Sequence, residues 1–161
     1  MKKSLATKLL VAAVLVPLIA VGSLIMMNLF SKAPENLGIH NGKLSDCPKS
    51  PNCVCTQATS ESHQMAAIPC PGDAATTVKR VKSTIGSMPR TRIVEESENY
   101  LRVEFTTAIM RYVDDVEFLI DDSAGVVHFR SASRVGYSDM GANRKRMTAF
   151  KEAFAGSASD D

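Results

Sequence analysis

The sequence predicts an α+β fold: an antiparallel four-stranded sheet with two helices packed on one face, preceded by an N-terminal transmembrane helix. Three observations predict it. Leu9 to Ser31 contains no charged residue. Two later stretches repeat apolar residues every three or four positions, as a helix face does. Between those stretches, segments alternate apolar and polar residues with period two, as half-buried antiparallel strands do. Residues 1–31 are read as the membrane anchor, 32–43 as a linker, 44–155 as an extracytoplasmic domain and 156–161 as a disordered tail.

At ~1.5 Å rise per residue, the uncharged stretch covers the ~30 Å of a bilayer core. A cleaved signal peptide is the competing reading. Leu9 to Ala20 makes a plausible apolar region, and the small residues at 20–23 resemble a cleavage site. The apolar run nevertheless continues through Leu24, Ile25, Met26, Met27, Leu29 and Phe30, which a removed signal does not need. An uncleaved anchor is therefore preferred. Lys2, Lys3 and Lys8 all precede the run, so the positive-inside rule keeps the N-terminus cytoplasmic and sends the rest outward. The expected location is a bacterial inner membrane, crossed once, with the C-terminal domain in the periplasm or outside the cell.

The chain carries 19 basic and 17 acidic residues. Without the three lysines before the span, 16 basic residues face those 17 acids, a net charge of −1. General attraction to nucleic acid is not expected. Any anion affinity must be local.

Residues 31–43 carry Pro34, Gly38, Asn41 and Gly42 with little apolar periodicity, and read as a tether. Cys47, Cys53, Cys55 and Cys70 follow. Four cysteines in an oxidising compartment suggest two disulfides, and sequence alone does not choose among the three connectivities. A Cys47–Cys53 bond would close a short loop that Pro48 and Pro51 already bend, leaving Cys55 with Cys70. No C-x-x-C is present, which argues against zinc, and no metal or cofactor is expected. His40 and His63 read as isolated and solvated.

Ala74, Val78, Val81, Ile85 and Met88 form one helical face, with Asp73 as N-cap and Gly86 and Pro89 ending it. Four strands are then expected: Arg92 to Glu95, Tyr100 to Thr107, Asp115 to Asp121, and Val126 to Ser131. Asp121 to Gly125 reads as a hairpin loop. Closing it pairs Phe118 with Phe129, Ile120 with Val127, and Glu117 with Arg130, so apolar meets apolar and acid meets base. The last helix is expected from Gly141 to Ala155, capped by Ser138 or Asp139, with Met147, Phe150 and Phe154 facing inward.

Arg130 to Arg146 holds five cations against one acid, Asp139. On strand parity the polar sheet face collects Arg102, Glu104, Glu117, His128 and Arg130. A salt-bridged, solvated face accounts for such a pattern. The sharper reading is a site for an anionic or polar ligand. Arg134, Arg144 and Arg146 would lie near a helix N-terminus, and arginine makes forked contacts to carboxylate or phosphate. Cations there oppose the helix dipole unless Asp139 and the acidic run from Asp114 to Asp122 neutralise them. Catalytic signatures are missing: there is no G-x-S-x-G, no H-E-x-x-H and no P-loop. His128 with Glu104 or Glu117 is the one candidate acid–base pair.

Cys47-Pro-Lys-Ser-Pro-Asn-Cys53-Val, Tyr100-Leu-Arg-Val-Glu-Phe, Val113-Asp-Asp-Val-Glu-Phe118 and Arg130-Ser-Ala-Ser-Arg-Val-Gly-Tyr-Ser-Asp139, with Gly141, Asn143, Arg144 and Arg146, together resemble the domain of unknown function 1499 family. The resemblance covers about Leu44 to Phe154 and implies a domain but no reaction. It implies that Cys47 and Cys53 belong together. Cys55 stands where relatives more often carry Ser, and Cys70 is extra, which fits a private Cys55–Cys70 pair. The motif positions coincide with the polar cluster drawn from spacing.

The expected function is a membrane-anchored module that binds an anionic small molecule, another polar ligand, or an acidic segment of a partner. Its expected site is Glu104, Glu117, Arg130, Ser131, Ser133, Arg134, Tyr137, Asp139, Asn143, Arg144 and Arg146. The alternatives are a hydrolase-type enzyme using Glu104, Glu117 or His128, and an envelope assembly factor whose polar cluster is purely structural.

Overall fold

The computed structural model describes residues 2–29, 31–70 and 72–157. Its elements follow in chain order: α1 (Lys2–Leu29), β1 (Ile39–His40), β2 (Lys43–Leu44), β3 (Cys53–Cys55), β4 (Ile68–Pro69), α2 (Ala74–Ser87), β5 (Thr91–Glu96), β6 (Tyr100–Thr106), β7 (Val113–Asp121), β8 (Val126–Ser133) and α3 (Ala142–Gly156). The fold is α+β, as expected. α1 is long and apolar enough to cross a membrane, a property that a signal sequence shares.

The main sheet has six strands, not four. Strands β5 to β8 form the expected antiparallel meander, and β3 and β4 both pair antiparallel with the outer edge of β8. These two are three and two residues long, too short for alternation to register in the sequence. A separate two-stranded sheet joins β1 to β2, so the segment read as a tether carries a hairpin. Among the described residues there are three helices, α1, α2 and α3. The register of β7 and β8 is the expected one, with Phe118 opposite Phe129, Ile120 opposite Val127 and Glu117 opposite Arg130.

Parity explains the core. Leu101, Val103 and Phe105 of β6, Val116, Phe118 and Ile120 of β7, and Val127 and Phe129 of β8 lie on one face. Val78, Val81 and Ile85 of α2 and Met147, Phe150 and Phe154 of α3 cover it. Phe150 lies between two other rings, 4.7 Å from Phe118 and 5.9 Å from Phe154 by centroid. The side chain of Asp73 caps α2 through the Thr76 N–H, as the sequence implies. The opposite sheet face holds a small apolar cluster of Leu44, Tyr100 and Leu119. There β2 packs onto positions that alternation alone assigns to solvent.

Three readings need correction. The disulfide joins Cys47 to Cys53, whereas Cys55 and Cys70 are free, buried thiols. Cys55 pairs with Arg130 on β8, and the Cys70 N–H bonds to the Gly125 carbonyl. Those partners are five positions apart, about 16 Å at ~3.3 Å per strand residue, and a disulfide needs Cα atoms within ~7 Å. His63 is buried rather than solvated, its Nδ1 lying 2.9 Å from the Cys53 carbonyl oxygen. In the tail, Gly156 closes α3 and Ser157 bonds back to it. The expected disorder of residues 158–161 lies outside the described residues.

Candidate functional site

The same parity that builds the core places charge on the other face. Tyr100, Arg102 and Glu104 of β6 lie beside Asp115 and Glu117 of β7, and Arg130 of β8 lies opposite Glu117. Segment 34–48 passes over this face, so the charges there are buried rather than solvated. Glu117 is 0% exposed and Arg130 is 4% exposed.

Each charge on this face has been given partners. Glu117 Oε1 accepts from the Gly38 N–H at 2.7 Å and the Tyr100 hydroxyl at 2.9 Å, and Oε2 accepts from Arg130 Nη1 at 3.2 Å. Burial and the Glu117 carboxylate push the Tyr100 hydroxyl well above the usual tyrosine range. Arg134 grips Asp115 with Nε at 2.6 Å and Nη2 at 2.7 Å, and Nη2 also reaches Glu104 at 2.5 Å. Those bonds, led by Asp115, raise its pKa further. Burial works against the Glu104 carboxylate, but bonds from Arg134 and Arg92 outweigh it and hold its pKa below the ordinary value. That shift suits a fixed anion and not a general acid.

One donor on this face is left over. Arg130 Nε is the only buried side-chain nitrogen or oxygen without a hydrogen-bond partner among the described residues. Arg130 lines a half-open cleft of about 430 Å³ together with Asn36, Asp46, Cys47, Pro48, Asp115, Ala132 and Ser133. The disulfide loop forms one wall. Its Asp46 is anchored to Thr59, whose hydroxyl and N–H both donate to the carboxylate.

The remaining expected residues lie on the helix face or beyond it. Ser131 and Ser133 alternate with Arg130 and point to the side of α3. Asn143, fully buried, ties this region together. Its Nδ2 donates to the Asn52 carbonyl at 3.0 Å, to Ser133 Oγ at 3.0 Å and to Asp139 Oδ2 at 2.8 Å. Its Oδ1 accepts from Ser131 Oγ and Arg146 Nη1, both at 2.6 Å. Arg146 also pairs with Asp114 and lies over the Phe105 ring, 4.9 Å from its centroid.

Asp139 takes the free N–H groups at the start of α3. Its Oδ1 accepts from Gly141 and its Oδ2 from Asn143. Burial opposes its charge, but these bonds prevail and keep its pKa below the ordinary aspartate value. Gly141 is the N-cap residue in a left-handed conformation, so the Asp139 cap acts from two residues upstream. The helix start is thus neutralised by the protein's own carboxylate, where an external anion was expected.

Arg144 reaches away from the cluster, donating to the Ser62 and Gln64 carbonyls and fixing loop 60–66 against α3. Tyr137 is exposed on the loop before α3. The structure therefore gathers Glu104, Glu117, Arg130 and Arg134 on one face and Ser131, Ser133, Asp139, Asn143 and Arg146 on the other. It does not bring Arg134, Arg144 and Arg146 together. His128 has neither Glu104 nor Glu117 among its partners; its Nδ1 lies 3.1 Å from Thr56 Oγ1, and burial lowers its pKa against the opposing charge of Asp121.

Asn52, Asp114, Asp115 and Tyr100 belong to these networks without having been among the expected site residues. Asn52 Nδ2 donates to the Gly136 carbonyl at 2.7 Å, linking the disulfide loop to the turn before α3. Its place in the Pro-Asn-Cys turn was the available signal. For Tyr100 the signal was its parity with Arg102 and Glu104.

A family model described as "Protein of unknown function (DUF1499)" matches residues 43–154, most of the chain. The comparisons with curated proteins and with solved structures give no match.

Proposed function

The chain belongs to the DUF1499 family, and from that premise we propose that it is a membrane-anchored, extracytoplasmic binding domain whose ligand occupies the cleft beneath the disulfide loop. In this reading α1 is a retained single span and residues 44–155, joined by the β1–β2 hairpin, are the working unit. The compartment is the periplasm or the outer surface of a bacterial cell, where the Cys47–Cys53 bond is stable.

The observation that carries the proposal is the unpartnered, nine-tenths-buried Arg130 Nε beside an open cleft. Leaving such a donor unpaired costs about 1–3 kcal/mol, and a ligand oxygen would recover it. The surroundings narrow the ligand's charge. Arg130 is already paired with Glu117, and the cleft also holds Asp46 and Asp115. A second anion would meet more negative than positive charge there. The ligand is therefore neutral and polar, offering an amide or hydroxyl oxygen, instead of the anion that the five cations first suggest.

A specific observation favours the structural alternative. Arg134 and Arg146 are each bound to carboxylates of the same domain, as a scaffold requires. The two readings part on one experiment. Thermal unfolding of the full chain in detergent is followed against neutral glycans, peptides, phosphates and carboxylates. Asn36→Trp fills the rim of the cleft without disturbing the charge network, because Asn36 is exposed and only its backbone carbonyl makes hydrogen bonds here. Stabilisation by a neutral compound, lost in Asn36→Trp, supports the cleft. A ligand at 100-fold over its Kd adds about 2.7 kcal/mol. No stabilisation by any compound sinks the binding reading and leaves the scaffold.

A further inference from the structure

We propose that one end of the sheet, carrying Ile109, Tyr137 and Met140, docks on the surface of the membrane that α1 spans. The inference rests on the reading of α1 as a retained anchor.

β5 begins at Thr91, β6 ends at Thr106, β7 begins at Val113 and β8 ends at Ser133, so loops 107–112 and 134–141 leave the same end of the sheet. Outside α1, the three most exposed large apolar side chains among the described residues lie on these two loops. Met140 is 92% exposed, Ile109 89% and Tyr137 75%. The loops are neighbours, since both line one cavity of about 230 Å³. Tyr with Ile and Met suits the bilayer interface, where an aromatic ring keeps its hydroxyl wet and aliphatic groups enter the acyl boundary.

The tether selects that end. Pro34 lines one cleft with Asp115, near the start of β7, and with Arg130, Ala132 and Ser133 of the last part of β8, so the chain joins the domain toward the end that bears these loops. Four residues separate Leu29, the last of α1, from Pro34, and the five Cα–Cα steps span at most about 18 Å. Exposed Arg90 and Arg111 flank the loops, while Glu98, Asp121 and Asp122 lie at the far end beside the hairpin. That polarity, basic toward the anchor and acidic away from it, fits an anionic lipid surface.

The chain contains no tryptophan, so single introduced tryptophans report depth directly. Full-length protein is reconstituted into vesicles containing phosphatidylglycerol and brominated lipids. Leu15→Trp reports the span, Tyr137→Trp the docking end and Ser123→Trp the opposite end. Quenching of Leu15→Trp by deep bromines and of Tyr137→Trp by shallow ones, with Ser123→Trp unquenched, is the expected result. Adding Ile109→Ser and Met140→Ser to Tyr137→Trp then lowers its quenching by about twofold or more. If Leu15→Trp is quenched while Tyr137→Trp matches Ser123→Trp, docking is overturned and the anchor stands. If Leu15→Trp is unquenched, the anchor fails and docking falls with it.

Discussion

Asn143 shows how one residue can join three parts of a fold. It connects the disulfide loop through the Asn52 carbonyl, β8 through Ser131 and Ser133, and the α3 cap through Asp139. Asn143→Ala would strand several buried polar groups at once, each costing about 1–3 kcal/mol when unpaired. We expect a loss of about 3 kcal/mol in urea unfolding, with the slope unchanged. A loss under ~0.5 kcal/mol, the size typical of surface changes, would contradict this account. Some of this chemistry was legible in the sequence. Hairpin closure put Glu117 against Arg130, and that pair forms. Arg134 and Arg146 are near in sequence but bind different carboxylates, Arg134 those of Asp115 and Glu104 and Arg146 that of Asp114. Position 134 continues the face of Arg130, whereas Arg146 reaches the opposite face from α3. Asn143 itself was visible only as a polar residue among cations, since its partners come from Asn52, Ser131, Ser133 and Asp139, and no local pattern joins those positions.

At the level of elements, length decided what could be read. The strands of six to nine residues announce themselves by alternation. The cysteine segment does not, because its two strands are only three and two residues long. Without β3 and β4 in view, nothing in the sequence separates Cys55 from Cys70. Pairing both strands along β8 sets Cys55 and Cys70 beside backbone positions five residues apart, about 16 Å at ~3.3 Å per strand residue. Burial also pushes the Cys55 thiol above its ordinary pKa, so little thiolate is present at neutral pH. In unreduced native protein, we expect a disulfide-exchange reagent to find no reactive thiol. After unfolding without reductant it should find two, with peptide mapping placing the remaining bond at Cys47–Cys53. Finding no free thiol after unfolding would restore the two-disulfide reading and require rearrangement of β3 or β4.

Over the whole molecule, the domain has two unlike faces and two unlike ends. The helix face is an apolar core. The other face is a charge network roofed by segment 34–48, which is why it reads as solvated from alternation alone. Segment 34–48 begins five positions after α1 ends, so the roof lies close to α1 in sequence. Cleavage near residues 20–23 would leave that roof intact and free the domain. Retention would hold the cleft within about 18 Å of the bilayer. The two fates separate physically, because an uncharged span of more than 20 residues resists alkaline extraction and a peripheral contact through three side chains does not. We expect the protein to stay in the membrane pellet after alkaline carbonate, with Lys2, Lys3 and Lys8 present in its N-terminal peptide. A soluble product beginning after residue 20 would remove the anchor. Ile109, Tyr137 and Met140 would then need another partner, since the tether that aims them at lipid would be gone.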